Sequence, residues 1–258
     1  MNMSAKDGFT RTSLGRIHYL EAGSGRPLIL LHSNGASAHE FGHVINSLAE
    51  QHWVLAWDMP GHGDSDPLAH HLSVPDYAAQ VTEFMDVLGI AEANIAGASI
   101  GGAICIALAA RHASRFQTIV AVEAPCRPAE DWISQWHVTE RMFGIASQSI
   151  EQIRPRLRHV DDALLERWNI DRNKAGPKTM MSVMWALRDY DIVADMEKVA
   201  ARTVAMFGSK SALRGKAPLF ADKIPGCELV TIDDAGHFPM IDNPEAFVAA
   251  INNAIYEA

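Results

Sequence analysis

Gly97-Ala98-Ser99-Ile100-Gly101 decides how this chain of 258 residues is read. The spacing is G-x-S-x-G. The apolar run Ala93–Ala98 before it has the character of a buried strand, and Ile100–Arg111 after it has that of a helix. A strand that turns straight into a helix leaves little room at the corner, so small residues must flank the serine. Gly101-Gly102-Ala103 lets the helix begin against the strand without a side-chain clash. Such a turn holds Ser99 Oγ out at the top of the sheet, and the helix N-terminus favours negative charge that develops there. Ser99 is therefore a candidate nucleophile.

Outward from this turn, short apolar runs recur: Leu28–Leu31, Val54–Trp57, Ile119–Val122, Val204–Phe207 and Leu229–Ile232. Continuous runs of this length, separated by helix-like stretches, predict parallel strands covered on both faces. Phe9–Leu14 and Arg16–Glu21 predict a hairpin turning at Gly15. From Tyr77, apolar residues return at Val81, Phe84, Met85 and Leu88, one face of a helix. Ser73 and Asp76 offer a capping box at its start and Gly89 a stop at its end. Pro244–Tyr256 repeats the helical pattern. The fold class expected is α/β, a doubly wound, mostly parallel sheet. Between Pro125 and Val199 no strand-like run occurs, and the composition turns to Trp, Met, Arg and Asp. Residues 1–124 and 200–258 are thus expected to form the core, with 125–199 an inserted helical cap.

Four segments in order now carry a resemblance. Leu30-Leu31-His32-Ser33-Asn34-Gly35 ends an apolar strand in a His-containing turn. Trp57 to Asp66 contains Asp58-Met59-Pro60-Gly61-His62-Gly63-Asp64-Ser65. The Ser99 turn follows, and Asp234-Ala235-Gly236-His237-Phe238-Pro239 comes late. Together they resemble the α/β-hydrolase superfamily over nearly the whole chain. The resemblance implies a serine hydrolase with His237 as general base and an oxyanion hole built from the N–H groups of Ile100 and Asn34. Relatives usually carry glycine where Ser33 stands, which puts Ser33 beside the substrate. Phe238, next to the histidine, is assigned there too. His32 and His62 match positions that support loops.

The third triad member departs from the common pattern. Most relatives place an aspartate three residues beyond a glycine after the strand matching Val204–Phe207. Here that count reaches Ser211, and Ser209–Leu213 holds no carboxylate. Glu123 ends the run Ile119–Val122 instead. Certain haloalkane dehalogenases carry a glutamate at that strand end, followed by a similar proline- and tryptophan-containing stretch. Glu123 is accordingly the expected orienting acid, with Asp195 and Asp234 as the rivals.

A competing pattern is present. His39-Glu40-Phe41-Gly42-His43 matches H-E-x-x-H, the zinc-protease helix signature. Gly42 weakens a helix there and no third ligand follows at a characteristic spacing, so no metal is expected. The remaining bulk features narrow the partners. A net charge of −9 without a Lys/Arg cluster argues against nucleic acid. Cys105, Cys126 and Cys227 read as ordinary thiols of a reducing compartment. Met1–Asp7 lacks a signal-peptide core, and the longest apolar run, Ala103–Ala110, is too short for a bilayer. A cytoplasmic protein acting on a small-molecule substrate, as a homodimer or a monomer and without cofactor, is expected.

The cap sequence is rich in Trp and Met, and Trp136 and Trp185 are the residues expected to line an apolar pocket. Arg127, Arg141 and Arg188 are candidates for holding a substrate carboxylate. Small carboxylic esters or lactones lead as substrates, because His32–Gly35 is similar to the corresponding loop of enol-lactonases. Carbon–carbon hydrolysis of a diketone-like substrate and a slow-turnover small-molecule receptor stay open. Haloalkane dehalogenases and epoxide hydrolases carry aspartate where Ser99 stands.

Overall fold

The apolar runs become strands close to their expected bounds. In the computed structural model, which describes residues 4–256, eight strands form one sheet: β1 (Lys6–Thr12), β2 (Gly15–Gly23), β3 (Pro27–Leu31), β4 (Trp53–Trp57), β5 (Ala93–Ala98), β6 (Phe116–Val122), β7 (Arg202–Gly208) and β8 (Glu228–Ile232). Met1–Met3, the start of the polar N-terminal stretch, lie outside the described residues. The strand order is β1-β2-β4-β3-β5-β6-β7-β8. β1 and β2 run antiparallel, β2 joins β4 antiparallel, and every other pairing is parallel.

The hairpin turns one step earlier than its sequence suggests. Thr12 pairs with Gly15, so Ser13 and Leu14 make the turn and Gly15 opens β2 at φ +117°. β8 also departs from expectation: it lies last in the sheet, and Leu229 on it is 43% exposed. An edge strand has a neighbour on one side only, and helices do not cover it fully.

The helix Val74–Val87 starts on the Ser73/Asp76 capping box, and Gly89 follows at φ +71°. The helix Ile100–Arg111 is buried from Ile100 through Ala109, which explains why its sequence is apolar all round. Buried side chains form two clusters, one on each face of the sheet. Between β6 and β7 every regular element is helical: Ala129–Ser134, Trp136–Phe143, Ile150–Ile153, Asp162–Asp189 and Ile192–Met196. The long helix breaks at Gly176, φ +72°, because Pro177 after it disfavours helical backbone there. No helix among the described residues is long and apolar enough to cross a membrane.

Candidate active site

Three non-glycine residues among those described adopt positive φ: Ser99 (+54°), Glu123 (+50°) and Asp234 (+49°). Such backbone is costly for residues with a Cβ and persists where surrounding structure enforces it. Ser99 sits between β5 and the helix Ile100–Arg111, its N–H donating to Val122 O at 2.9 Å. A Cβ on Gly97 would run into Gly101, and one on Gly101 into Leu31, so both glycines are demanded by the closeness of the turn. Glu123 occupies the end of the adjacent strand, and its N–H donates to Met206 O across to β7.

Glu123 is fully buried and both of its oxygens are used. Oε1 accepts from the Gly208 N–H at 2.7 Å. Oε2 accepts from Ser211 Oγ at 2.5 Å and faces His237 Nδ1 at 3.2 Å. The structure therefore brings Glu123 to the imidazole. The rivals point elsewhere: exposed Asp234 pairs with Arg158, and Asp195 accepts from Arg111 Nε and Nη2 and from Tyr190 Oη. Ser211, at the position where the resemblance would place an acid, supplies a hydroxyl to Glu123 instead. Gly208 matters for a separate reason. A Cβ there would overlap the carbonyls of Ala235 and Gly236, so only glycine lets the histidine loop close on the strand end.

Ser99 and His237 border one cavity of about 330 Å³. No direct hydrogen bond joins them; in serine sites that bond commonly tightens only around substrate. The Ile100 N–H stands at the first turn of its helix, where backbone donors lack intrahelical acceptors. Asn34 borders the same cavity. Its side chain is already engaged, Nδ2 donating to Met180 O at 2.9 Å and Oδ1 facing His62 Nε2 at 3.3 Å. What Asn34 can offer a substrate is thus its backbone N–H.

Ser33 borders the cavity too, but its hydroxyl donates to Glu40 Oε1 at 3.1 Å and is not free for a ligand. Glu40 also accepts from the Ser33 N–H, and burial pushes its carboxyl up to about 8. The H-E-x-x-H pattern dissolves here. Ala38–Phe41 is a single 3-10 turn ended by Gly42, so His39 and His43 do not share an α-helical face. Both are exposed while Glu40 points inward to Ser33. His32 holds the loop, Nδ1 facing Ser33 O and Nε2 accepting from the Met59 N–H. Burial lowers its pKa, and burial with His32 nearby brings His62 down to about 3, so both rings are neutral. The one compact group of metal-type donors among the described residues, His18, Asp58 and Asp64, is committed to hydrogen bonds. Asp58 Oδ2 accepts from the Asp64 N–H and faces His18 Nδ1, each at 2.7 Å, while Oδ1 accepts from Ala38 N–H.

Two expected cavity residues are corrected. Trp136 and Trp185 do not line the cavity. Their rings meet edge to face at 4.9 Å, and Arg188 stacks over both, 3.8 Å from the Trp185 centroid. The cavity wall comes instead from Val138, Thr139, Met142 and Phe143, one face of the helix Trp136–Phe143, with Trp132 and Met184. Helical phase does not separate them: Trp136 stands three and seven residues before Thr139 and Phe143, on the same stripe, and only its packing on Trp185 takes it out of the wall. Phe238 does border the cavity. Of Arg127, Arg141 and Arg188, Arg127 alone reaches it, and Arg156 joins it without any motif to announce it.

A family model described as the alpha/beta hydrolase fold matches residues 26–158. The chain is 24% identical to the pimeloyl-[acyl-carrier protein] methyl ester esterase of Aeromonas hydrophila, over 90% of this chain and 96% of that one. Among solved structures, the enol-lactonase from Burkholderia xenovorans matches with a TM-score of 0.81 and 21% identity, covering 96% of this chain and 100% of that one. An esterase from Thermogutta terrifontis matches with a TM-score of 0.82 and 21% identity, over 98% of each chain. At such identities these structural likenesses speak for the fold alone.

Proposed function

The chain belongs to the α/β-hydrolase fold family, and from that premise we infer that it hydrolyses a small carboxylic ester or lactone through an acyl-enzyme on Ser99. The observation that carries this reading is the buried Glu123 carboxylate facing His237 Nδ1, beside a cavity that Ser99 also borders. With Nδ1–H held by the carboxylate, His237 presents Nε2 as the base. His237 takes the Ser99 proton as Oγ attacks the carbonyl carbon, then returns it to the leaving alcohol. Water, deprotonated by the same ring, releases the acid and restores Ser99. The N–H groups of Ile100 and Asn34 receive the negative oxygen, each worth about 3 kcal/mol of barrier.

Relatives named as a pimeloyl-[acyl-carrier protein] methyl ester esterase and an enol-lactonase support the ester and lactone classes. Residues 125–199 act in this proposal as the cap that shapes the cavity. Acyl transfer of this kind needs neither metal nor organic cofactor. The enzyme is proposed to work in the cytoplasm, with homodimer formation checked by sedimentation.

An ester, lactone and diketone panel run beside Ser99→Ala tests the reading. Turnover of esters or lactones that disappears in the variant supports it. Turnover confined to diketones would move the assignment to carbon–carbon hydrolysis. Tight small-molecule binding with negligible turnover would make the protein a receptor.

A further inference from the structure

The cavity holding Ser99 is lined by two arginines, Arg127 and Arg156, and among the described residues by no acid. Arg127 is exposed and lies over the Trp132 ring at 5.1 Å, a position at the rim. Arg156 is the unusual one. Its carbonyl accepts the His237 N–H at 2.9 Å, which fixes its backbone against the catalytic loop. Its guanidinium rests against the Trp168 and Phe238 rings, 5.1 and 5.8 Å from their centroids. Nη2 donates to Gln148 Oε1 at 3.1 Å, but Nε is shielded from solvent and meets no acceptor.

No carboxylate among the described residues forms an ion pair with Arg156. The neighbourhood makes the imbalance worse. Arg172, 1% exposed, donates Nη2 to the carbonyls of Met142 and Ile145, and leaves Nε and Nη1 without partners. It too has no ion-pair partner among the described residues. Burial, and then the charge of Arg172, bring Arg156 down to about 10, where it remains a cation at neutral pH. Glu40, the acid whose charge would act on it, is largely protonated there because of its own burial. Buried cations without counter-ions are costly, and aromatic faces offset that cost only in part. Proteins accept such imbalance where a ligand supplies the missing charge.

We propose that Arg156 binds a free carboxylate on the substrate, so that the preferred esters or lactones carry an acid group besides the bond they lose. This rests on the ester or lactone reading and narrows its substrate class. A planar carboxylate suits the guanidinium fork, and the apolar walls from Val138, Met142 and Phe143 suit the short chain between the two polar ends. The carboxylate can belong to the acyl or to the alcohol part of the substrate; the shared chemistry is the anion.

Two matched pairs separate these cases: monomethyl adipate against methyl hexanoate, and 4-acetoxybutanoate against butyl acetate. Wild-type kcat/KM should favour the acid-bearing member of at least one pair by about 10- to 100-fold, chiefly through KM. Arg156→Gln should collapse that ratio towards one, and Arg156→Lys should keep part of it. Adipate or 4-hydroxybutanoate should bind the wild type by calorimetry and bind Arg156→Lys more weakly, which tests the site even where Arg156→Gln fails to fold. Equal or reversed ratios in both pairs overturn the proposal, as does an equal loss on both members of a pair. Turnover of the neutral esters with a labelled Ser99 but no acid preference sinks this inference alone. Absence of any ester turnover and of Ser99 labelling sinks the ester reading, and carboxylate binding then still decides the role of Arg156.

Discussion

The strand ends and the helical segment over them build opposite sides of one cavity by different means. On the strand side, Ser99 and Glu123 are held by backbone: positive φ, parallel pairing to β6 and β7, and glycines at 97, 101 and 208 that only a close approach explains. On the helical side, Trp132, Val138 and Phe143 are placed by helix phase and by packing between short helices. A position fixed by local backbone geometry leaves a spacing in the sequence. A position fixed by which way a helix rolls leaves only composition.

The largest effect is expected at the strand end. Ser99→Ala should lower kcat by about 10⁴-fold or more and abolish labelling by a fluorophosphonate probe. Labelling that survives in this variant would remove Ser99 from the mechanism. Next comes Glu123→Gln. The amide cannot hold Nδ1–H as the carboxylate does, so kcat should fall by about 10²- to 10⁴-fold in a protein that still melts cooperatively. Adding Ser211→Asp should recover part of the loss, since Ser211 Oγ already sits 2.5 Å from the carboxylate oxygen facing His237. Asp234→Asn, at an exposed residue, should retain near-normal turnover; a collapse there would shift the orienting role to Asp234.

The helical side should respond in selectivity rather than in chemistry. Trp132→Ala or Phe143→Ala should change preference between short and long acyl chains by about tenfold, a methylene or two of pocket contact. Trp136→Ala and Trp185→Ala, which open no cavity wall, should leave that preference within about threefold of the wild type. A chain-length profile that moves only in the second pair would reverse the assignment of the wall.

The smallest effect concerns stability. Glu40 has its carboxyl raised to about 8, chiefly by burial, above an ordinary value of 4.5. The folded state therefore holds this proton more tightly than the unfolded chain. Its stabilising contribution is complete below the unfolded value and is lost as pH rises towards 8. Glu40→Gln mimics the protonated form, so its melting temperature should decline less between pH 5 and 8, ending about 3–6 °C closer to its acid value than the wild type. Parallel melting curves across that range would show that Glu40 is charged in the fold.

Much of this architecture is legible in the sequence. The apolar runs gave six strands, the Ser73/Asp76 box gave a helix start, and the G-x-S-x-G turn singled out Ser99. Glu123 is what the resemblance to certain haloalkane dehalogenases implies once Ser209–Leu213 offers no carboxylate, and it lies 3.2 Å from His237 Nδ1. Trp136 and Trp185 misled because large aromatic side chains announce a pocket and a packing contact in the same way. Ser33 does border the cavity, but its hydroxyl is taken by Glu40, which in the sequence reads as part of a zinc motif.

The positions of the acid and the histidine were implied by the resemblance to α/β-hydrolases; by itself the sequence determined the alternation of strands and helices and the tight turn that exposes a serine. These are properties of neighbouring residues, where period and steric room act within a few positions. Tertiary structure alone decided that Ser211 serves Glu123 and that Trp136 faces away. It also decided that half-buried Arg156 and buried Arg172 have no ion-pair acid among the described residues. Charge balance in a cavity depends on groups brought together from distant parts of the chain, and no local pattern records which of them meet.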